Sequence, residues 1–228
     1  MLIKKGNISM IYRNIYTAQL QDGAHDEFVK ALDGCKRAEC IVSLSVMCWK
    51  QRVFLYYETR DCSNLAPDDI FVNMEQYLEK WPGEAKKRLW VPMFDIFHYN
   101  RPVDDEEWMR HTPSEPFGMM MRIRPEKLSS YIFYHYQMQE ETPGMGNKYG
   151  IICMHENLLF HYLERPDIDS KLCFKGKLTT NNTPSNWGEL MDEHFAPWED
   201  TEPPIQWRKD VETVFHFEKI IPLPEKYN

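Results

Sequence analysis

Two stretches of the chain share one pattern of aromatic residues, WPGEAKKRLWVPMFDIFHYN at 81–100 and WEDTEPPIQWRKDVETVFHFE at 198–218. In each stretch, eight residues separate two tryptophans, and an aromatic–histidine–aromatic triplet follows. The triplet is FHY in the first stretch and FHF in the second, with a shift of one residue relative to the tryptophans. Tryptophan is a rare residue, so a recurring tryptophan pair indicates an internal repeat. The sequence therefore predicts two related halves.

The residues before these stretches predict the same order of elements in both halves. Each half opens with a β-like run, at 11–20 and 117–123, and a segment with apolar residues at helical spacing follows. Two strand-like runs joined by a short polar turn then predict a hairpin. Weaker helices are predicted around 69–80 and 187–194, and the FHY or FHF triplet ends each half as a last strand. The predicted order is β-α-β-β-α-β, the ferredoxin-like order, twice over.

That order predicts an α+β fold in which each half forms a four-stranded antiparallel sheet with both helices on one face. The other face of each sheet needs cover, and two such sheets packed face to face would form an α+β barrel. A monomer with an intrachain pseudo-dimer and a homodimer are both open alternatives. We predict a first ferredoxin-like half at 1–102, an acidic, proline-bearing linker at 103–116 and a second half at 117–228.

The composition disfavours several classes of protein. The 228 residues include 27 Lys plus Arg against 35 Asp plus Glu, a net charge of −8, whereas nucleic-acid binding needs a basic face. No apolar run is long enough to span a membrane, and the amino terminus lacks the apolar core of a secretory signal.

Cysteine usage bears on the compartment. The six cysteines are Cys35, Cys40, Cys48, Cys62, Cys153 and Cys173. They contain no CxxC pair, which favours reduced thiols in a cytoplasmic protein over disulfides or a zinc site.

The second half carries a set of motifs that resembles a known family. Pro125, Tyr131 and His135 have the spacing Pro-x5-Tyr-x3-His on a predicted helix, and the hairpin after it contains YGI at 149–151 and NLLF at 157–160. These residues resemble those of the L-rhamnose mutarotase family, small α+β barrel proteins that interconvert the anomers of a sugar. The resemblance covers about residues 117–218 and makes this the mutarotase-like half.

The resemblance implies His135 as the catalytic acid/base, with Tyr131 and Trp187 lining the sugar pocket and no cofactor. The chemistry suits these residue types, because histidine exchanges protons near neutral pH and aromatic rings stack on the apolar face of a sugar. Tyr131 and His135 are four residues apart, so they share one helix face. His194 follows Trp187 by seven residues and Trp198 belongs to the repeated pattern, so both are further candidate substrate-binding residues.

The first half lacks the residues of the predicted site. When its helix is aligned with that of the second half, Phe28 falls at the tyrosine position and Leu32 at the histidine position. We therefore expect the first half to be non-catalytic and to supply a sheet for the common core.

Other chemistries find little support in the sequence. No glycine-rich phosphate loop, HExxH or HxH pattern is present, so we expect neither a nucleotide nor a metal site. The predicted function is a cofactor-independent isomerase, a mutarotase acting on a rhamnose-like monosaccharide. The alternative is a non-catalytic sugar-binding or regulatory α+β barrel protein of carbohydrate metabolism. A weaker third hypothesis is an oxygenase with haem or a quinone on the same barrel.

Overall fold

The computed structural model describes residues 10–83, 85–102, 105–168, 174–200 and 206–222. Three parts of the sequence predictions lie outside the described residues: Cys173, the linker residues 103–104 and the amino-terminal residues 1–9. Among the residues described, no helix has the length and apolar character needed to cross a membrane.

The helices and strands follow the predicted order in both halves. Those of the first half are β1 (Ile11–Gln19), α1 (His25–Ala31), β2 (Ile41–Trp49), β3 (Arg52–Arg60), α2 (Pro67–Ile70), β4 (Val91–Pro92) and β5 (Phe94–His98). Those that follow are α3 (Asp105–Trp108), β6 (Glu115–Ile123), α4 (Leu128–Glu141), β7 (Ile151–His155), β8 (Leu158–Arg165), α5 (Trp187–Asp192), β9 (Phe195–Ala196) and β10 (Arg208–Glu218). Short 3₁₀ turns at Leu32–Gly34, Glu75–Tyr77 and Pro125–Lys127 complete the description.

The helix predicted around 69–80 is the main local error in the prediction. It is reduced to the four residues of α2 and a separate 3₁₀ turn. Asn73, between the two, has a φ of 63°, which right-handed helical backbone does not allow.

All strands belong to one antiparallel sheet with the order β4-β1-β3-β2-β10-β6-β8-β7-β5, and β9 pairs with β6 beside this path. The strands of the two halves lie in the same order, β4-β1-β3-β2 and β10-β6-β8-β7. In each set the closing strand of the half comes first, followed by its opening strand, its third strand and its second strand. The predicted α+β class with ferredoxin-like strand order is confirmed.

The closing strands connect the two sheets and nearly close the barrel. Residues 208–211 of β10 pair with β6, and residues 212–218 continue along β2 of the first half. In the same way β4 pairs with β1, and β5, which follows after Met93, pairs with β7. The closing segment of each half therefore forms backbone hydrogen bonds with strands of both sheets.

Alternation along the strands produces three apolar layers. The interior of the barrel is filled by residues such as Phe54 and Phe160, whose rings stack at 4.4 Å, and Tyr56 and Tyr162, whose rings stack at 3.8 Å. The other two layers lie between each sheet and its helices. Because side chains alternate between faces, neighbouring residues of one strand serve different layers.

The segment that connects the halves enters the barrel. Trp108, Met109 and Arg110 are each only 1% exposed. The Arg110 guanidinium donates from Nη1 to Glu58 at 2.7 Å and from Nε to Glu164 at 2.8 Å. A buried charge is tolerated only when it is paired and hydrogen-bonded, and Arg110 satisfies one glutamate from each sheet. The division of the chain at 103–116 stays a prediction, but residues 108–110 of this segment are part of the core.

Candidate active site

A cavity of about 270 Å³ lies between the second sheet and its helices. Its lining residues are Met119, Met121, Tyr131, His135, Ile152, His161, Trp187, Gly188, Met191, Asp192, Phe195, Trp207 and Arg208. The methionines of β6 reach this cavity because residues 119 and 121 face the helices, whereas Met120 between them packs in the barrel interior. The strand pattern thus exposes a mostly apolar floor beneath α4 and α5.

Helix α4 supplies two of the predicted site residues. Tyr131 and His135 are one helical turn apart, 1% and 5% exposed, with ring centroids separated by 4.0 Å. The His135 ring also meets the edges of Trp187 at 5.0 Å and Phe97 at 5.3 Å. The structure therefore brings three residues predicted from the sequence, Tyr131, His135 and Trp187, into one cavity.

The protonation state of His135 is set by its surroundings. Its Nδ1 lies 2.9 Å from the backbone carbonyl oxygen of Tyr131. A carbonyl can only accept a hydrogen bond, so this contact assigns the proton to Nδ1 and the lone pair to Nε2. Burial lowers the pKa of His135 to about 4, outweighing the hydrogen bond to Tyr131, which raises it. His135 is therefore neutral at pH 7, and its Nε2 can act as a base.

His161 is a residue of the cavity that the sequence analysis did not select. It lies on β8 between Met119 and Ile152 of the neighbouring strands. Its Nε2 is buried without a hydrogen-bond partner among the described residues, and burial lowers the pKa of His161 to about 4. The available signal was the alternation of β8, where His161 shares the helix-facing side with Leu159. A histidine in an otherwise apolar row is the sequence signal for a proton-exchanging group in this mostly apolar cavity.

The Tyr131 hydroxyl stays protonated over the physiological range. Burial raises the pKa of Tyr131 above its ordinary value. Its phenol is therefore a hydrogen-bond donor beside the His135 ring.

Two predicted substrate-binding residues lie away from this cavity. Both ring nitrogens of His194 already have hydrogen-bond partners. Nδ1 lies 2.7 Å from the Leu190 carbonyl oxygen, and Nε2 lies 2.8 Å from the Ser130 hydroxyl. Helix α5 ends at Asp192, so the seven-residue helical spacing from Trp187 does not extend to His194. Trp198 lines a separate cavity. Neither residue lines the candidate active site.

Among the residues that the structure describes, no group of three or more His, Cys, Asp or Glu side chains is arranged to hold a metal ion.

One comparison with known proteins concerns the part of the chain that forms this cavity. Residues 116–217 match the model of the L-rhamnose mutarotase family. The matched segment contains every residue that lines the cavity, from Met119 to Arg208. The resemblance of the second half to the L-rhamnose mutarotases, inferred from its motifs, is confirmed. The comparison with curated proteins found no match.

Solved structures with a related fold share little sequence with the chain. A proposed monooxygenase from Lactobacillus acidophilus is 6% identical, with a TM-score of 0.40 over 94% of this chain and 100% of its own. A proposed monooxygenase from Fusobacterium nucleatum is 12% identical, with a TM-score of 0.39 over 92% and 95%. An anthrone oxidase-like protein is 7% identical, with a TM-score of 0.37 over 93% and 94%. Similarity at this level carries no information about the reaction of the mutarotase-family segment.

Proposed function

We propose that the protein is a monosaccharide mutarotase, an isomerase that interconverts the anomers of a rhamnose-like sugar in the cavity beside α4 without a cofactor. One observation carries this proposal. His135 and His161 line the same cavity of the family-matched segment, and the Nε2 of each lacks a hydrogen-bond partner among the described residues. Two neutral imidazoles with uncommitted nitrogens can exchange protons with a substrate.

Mutarotation needs one proton removed and one proton supplied. The lone pair of His135 Nε2 takes the proton of the anomeric hydroxyl, and the imidazolium that forms passes this proton to the ring oxygen, which His161, in its Nε2–H tautomer, holds by a hydrogen bond. The bond between the anomeric carbon and the ring oxygen breaks, and an open-chain aldehyde with a free hydroxyl forms. After rotation about the bond from the anomeric carbon to the next carbon, His135 takes the proton of that hydroxyl and delivers it to the aldehyde oxygen as the ring closes on the other face. No oxidant or further reactant is required.

The remaining lining suits a single sugar ring with an apolar substituent. The volume of about 270 Å³ lies near the lower end of ligand pockets, about 300–1,000 Å³. The Trp187 ring provides a surface for the C–H face of a pyranose, and the Tyr131 hydroxyl can donate to a sugar oxygen. Met119 and Met121 offer an apolar floor for the methyl group that a 6-deoxy sugar such as rhamnose carries.

The architecture supports a monomer as the working unit. Both closing strands pair within the chain, β10 with β2 and β5 with β7, so the two sheets need no second copy to cover them. The described cysteines, Cys35, Cys40, Cys48, Cys62 and Cys153, are free thiols. Reduced thiols fit the cytoplasmic location that we propose.

The proposal is tested by saturation-transfer NMR of anomeric exchange with L-rhamnose, L-fucose, D-galactose and D-glucose. We expect the native protein to accelerate exchange for one of these sugars, and His135→Gln to lower that rate about 10²–10⁴-fold. His25→Gln is the matched control, because His25 lies on α1 of the first half with a side chain that is 42% exposed. Sugar binding by tryptophan fluorescence without accelerated exchange for any sugar would contradict the mutarotase proposal and favour the binding-protein alternative.

A further inference from the structure

A second cavity, of about 360 Å³, lies at the mouth of the barrel. Its lining residues are Trp49, Arg52, Met120, Arg122, Glu156, Asn157, Leu158 and Trp198. We call it the mouth cavity. The two hairpin turns that join β2 to β3 and β7 to β8 border it, and each turn begins with a residue at φ 53°, Lys50 and Glu156. The mouth cavity shares no lining residue with the candidate active site.

Neither of the two arginines of the mouth cavity forms an ion pair with a described residue, although the charge of Glu156, which also lines the cavity, raises the pKa of Arg52 in opposition to burial. Arg122 is exposed and lies 4.0 Å above the Trp198 ring, without an ion pair to any described residue. The Arg52 guanidinium lies 5.2 Å from the Trp81 ring centre, and its Nη1 is buried without a hydrogen-bond partner among the described residues. The desolvation that accompanies burial lowers the pKa of Arg52. In a chain of net charge −8, a cavity lined by two guanidiniums and the single carboxylate of Glu156 has an excess of positive charge, which favours an anionic ligand.

Two indole rings form an apolar wall beside these cations. The Trp49 and Trp198 ring centroids are 5.2 Å apart, tilted by 52°. The Trp198 indole is held in place, because its Nε1 donates to the Trp207 carbonyl oxygen at 3.0 Å. Asn157 donates from Nδ2 to the Ile123 carbonyl oxygen at 3.1 Å, which leaves its Oδ1 to accept from a ligand hydroxyl. A fixed indole beside an amide oxygen is a combination that suits a sugar ring.

We propose that the mouth cavity binds a monosaccharide that carries an anionic group, a phosphate or a carboxylate. The guanidiniums of Arg122 and Arg52 take the anionic group, and the sugar ring packs against the half-buried Trp49, because the Trp198 ring is buried with Arg122 above it. The mouth cavity is larger than the candidate active site, about 360 Å³ against 270 Å³, which leaves room for the additional group. This ligand is distinct in charge from the neutral sugar proposed for the active site.

The test measures binding of four probes by isothermal titration calorimetry and tryptophan fluorescence. The probes are D-glucose 6-phosphate, D-glucuronate, D-glucose and inorganic phosphate. We expect at least one of the two acidic sugars to bind with a Kd about tenfold or more below those of glucose and phosphate. The comparison between glucose 6-phosphate and glucuronate distinguishes the two anionic groups. Failure of both acidic sugars to bind would overturn the proposal.

Two arginine variants locate the binding. Arg122→Gln is expected to raise the Kd of the acidic sugar about tenfold or more, since a hydrogen-bonded charge is lost. Arg165→Gln is the matched control, because the Arg165 guanidinium also lies 4.0 Å above a ring, that of Phe117, outside the cavity.

A third variant separates the two cavities. His135→Gln should leave the Kd of the acidic sugar within about twofold, because the mouth cavity does not contain His135. A Kd that changes with His135→Gln and not with Arg122→Gln would place the ligand in the other cavity and overturn the proposal.

Discussion

Around α1 and the first 3₁₀ turn, apolar side chains pack closely on the outer face of the first sheet, whereas the corresponding place on the second sheet contains the 270 Å³ cavity. On the first sheet, Phe28 and Leu32 are 0% and 1% exposed and pack in one cluster with Leu55. On the second sheet, Tyr131 and His135 occupy the corresponding helix positions and border the cavity. The two faces have the same strand order, but one is covered by a packed apolar cluster and the other borders a cavity.

The sheet positions differ in the same sense as the helix positions. The rings of Tyr56 and Tyr162 stack across the barrel, which makes Leu55 of β3 the counterpart of His161 of β8. We call the outer face of the first sheet the closed face and that of the second sheet the open face. The leucine of the closed face thus corresponds to a histidine of the open face, whose Nε2 has no hydrogen-bond partner among the described residues. The comparison shows that one scaffold gives a packed core or a cavity with two histidines according to a few side chains. Polar groups in such a cavity lower the free energy of unfolding, and they are the groups that can exchange protons with a substrate.

Truncation of His135, the proposed acid/base, gives the largest expected effect. His135→Ala should lower the rate of anomeric exchange about 10²–10⁴-fold, because the base is lost. The fold should persist, since the side chain already borders a cavity. Saturation-transfer NMR measures the rate, and circular dichroism measures the fold. A folded variant with native exchange would refute the role of His135.

Truncation at the corresponding position of the closed face should have the opposite signature. Leu32→Ala removes a buried side chain from a packed cluster and should reduce the free energy of unfolding by about 2–5 kcal/mol. Anomeric exchange per folded molecule should stay at the native rate. Urea unfolding measures the loss, and Val72→Ala, at a side chain that is 57% exposed, serves as a surface control. A loss below about 1 kcal/mol would contradict the packed interface.

The two buried histidines predict a dependence of stability on pH. The folded pKa of His161 is about 4, below the ordinary 6.5, so the unfolded chain binds more protons between these values. The free energy of unfolding therefore falls as pH decreases from about 6.5 to 4, by at most roughly 3 kcal/mol per histidine.

His161→Leu installs the residue type of the closed face and should make this fall shallower. Urea unfolding of native protein and variant at pH 7 and pH 4.5 measures the difference. Parallel curves for the two proteins would contradict a neutral, buried His161.

The smallest expected effect is the loss of one hydroxyl. Tyr131→Phe should lower kcat/KM about 2–10-fold, because one hydrogen bond to the sugar is removed. Tyr77→Phe is the matched control on the closed face, where Tyr77 packs edge-on against Phe28, the counterpart of Tyr131. Steady-state exchange rates over a range of sugar concentrations separate the two variants. Equal rates for Tyr131→Phe and the native protein would remove Tyr131 from the set of substrate contacts.

The order of elements was predictable because it depends on local patterns. The strand-like runs of β2 and β3 and the helical spacing around Tyr131 and His135 are visible within short windows of sequence. The failure around Asn73 is local too, since a single residue with positive φ divides the predicted helix. His161 was missed because its significance depends on which face of β8 the helices cover.

The position of the remaining candidates depended on contacts between distant segments. Trp198 repeats the pattern of Trp81, yet it packs against Trp49 and Arg122 at the mouth cavity. Its neighbours come from β2 and β6, which are far away in the sequence. Spacing along the chain could not show that Trp198 and His135 would line different cavities.

The sequence by itself determined the α+β class, the twofold β-α-β-β-α-β order and the resemblance of the second half to the mutarotases, because these follow from periodicity and motifs. Only the tertiary structure decided which sheet edges meet, with residues 212–218 of β10 continuing along β2. It also decided that Arg110 of the connecting segment lies between Glu58 and Glu164. Both outcomes depend on the burial of long-range partners, since a buried backbone group or charge must find its partner wherever the fold brings one.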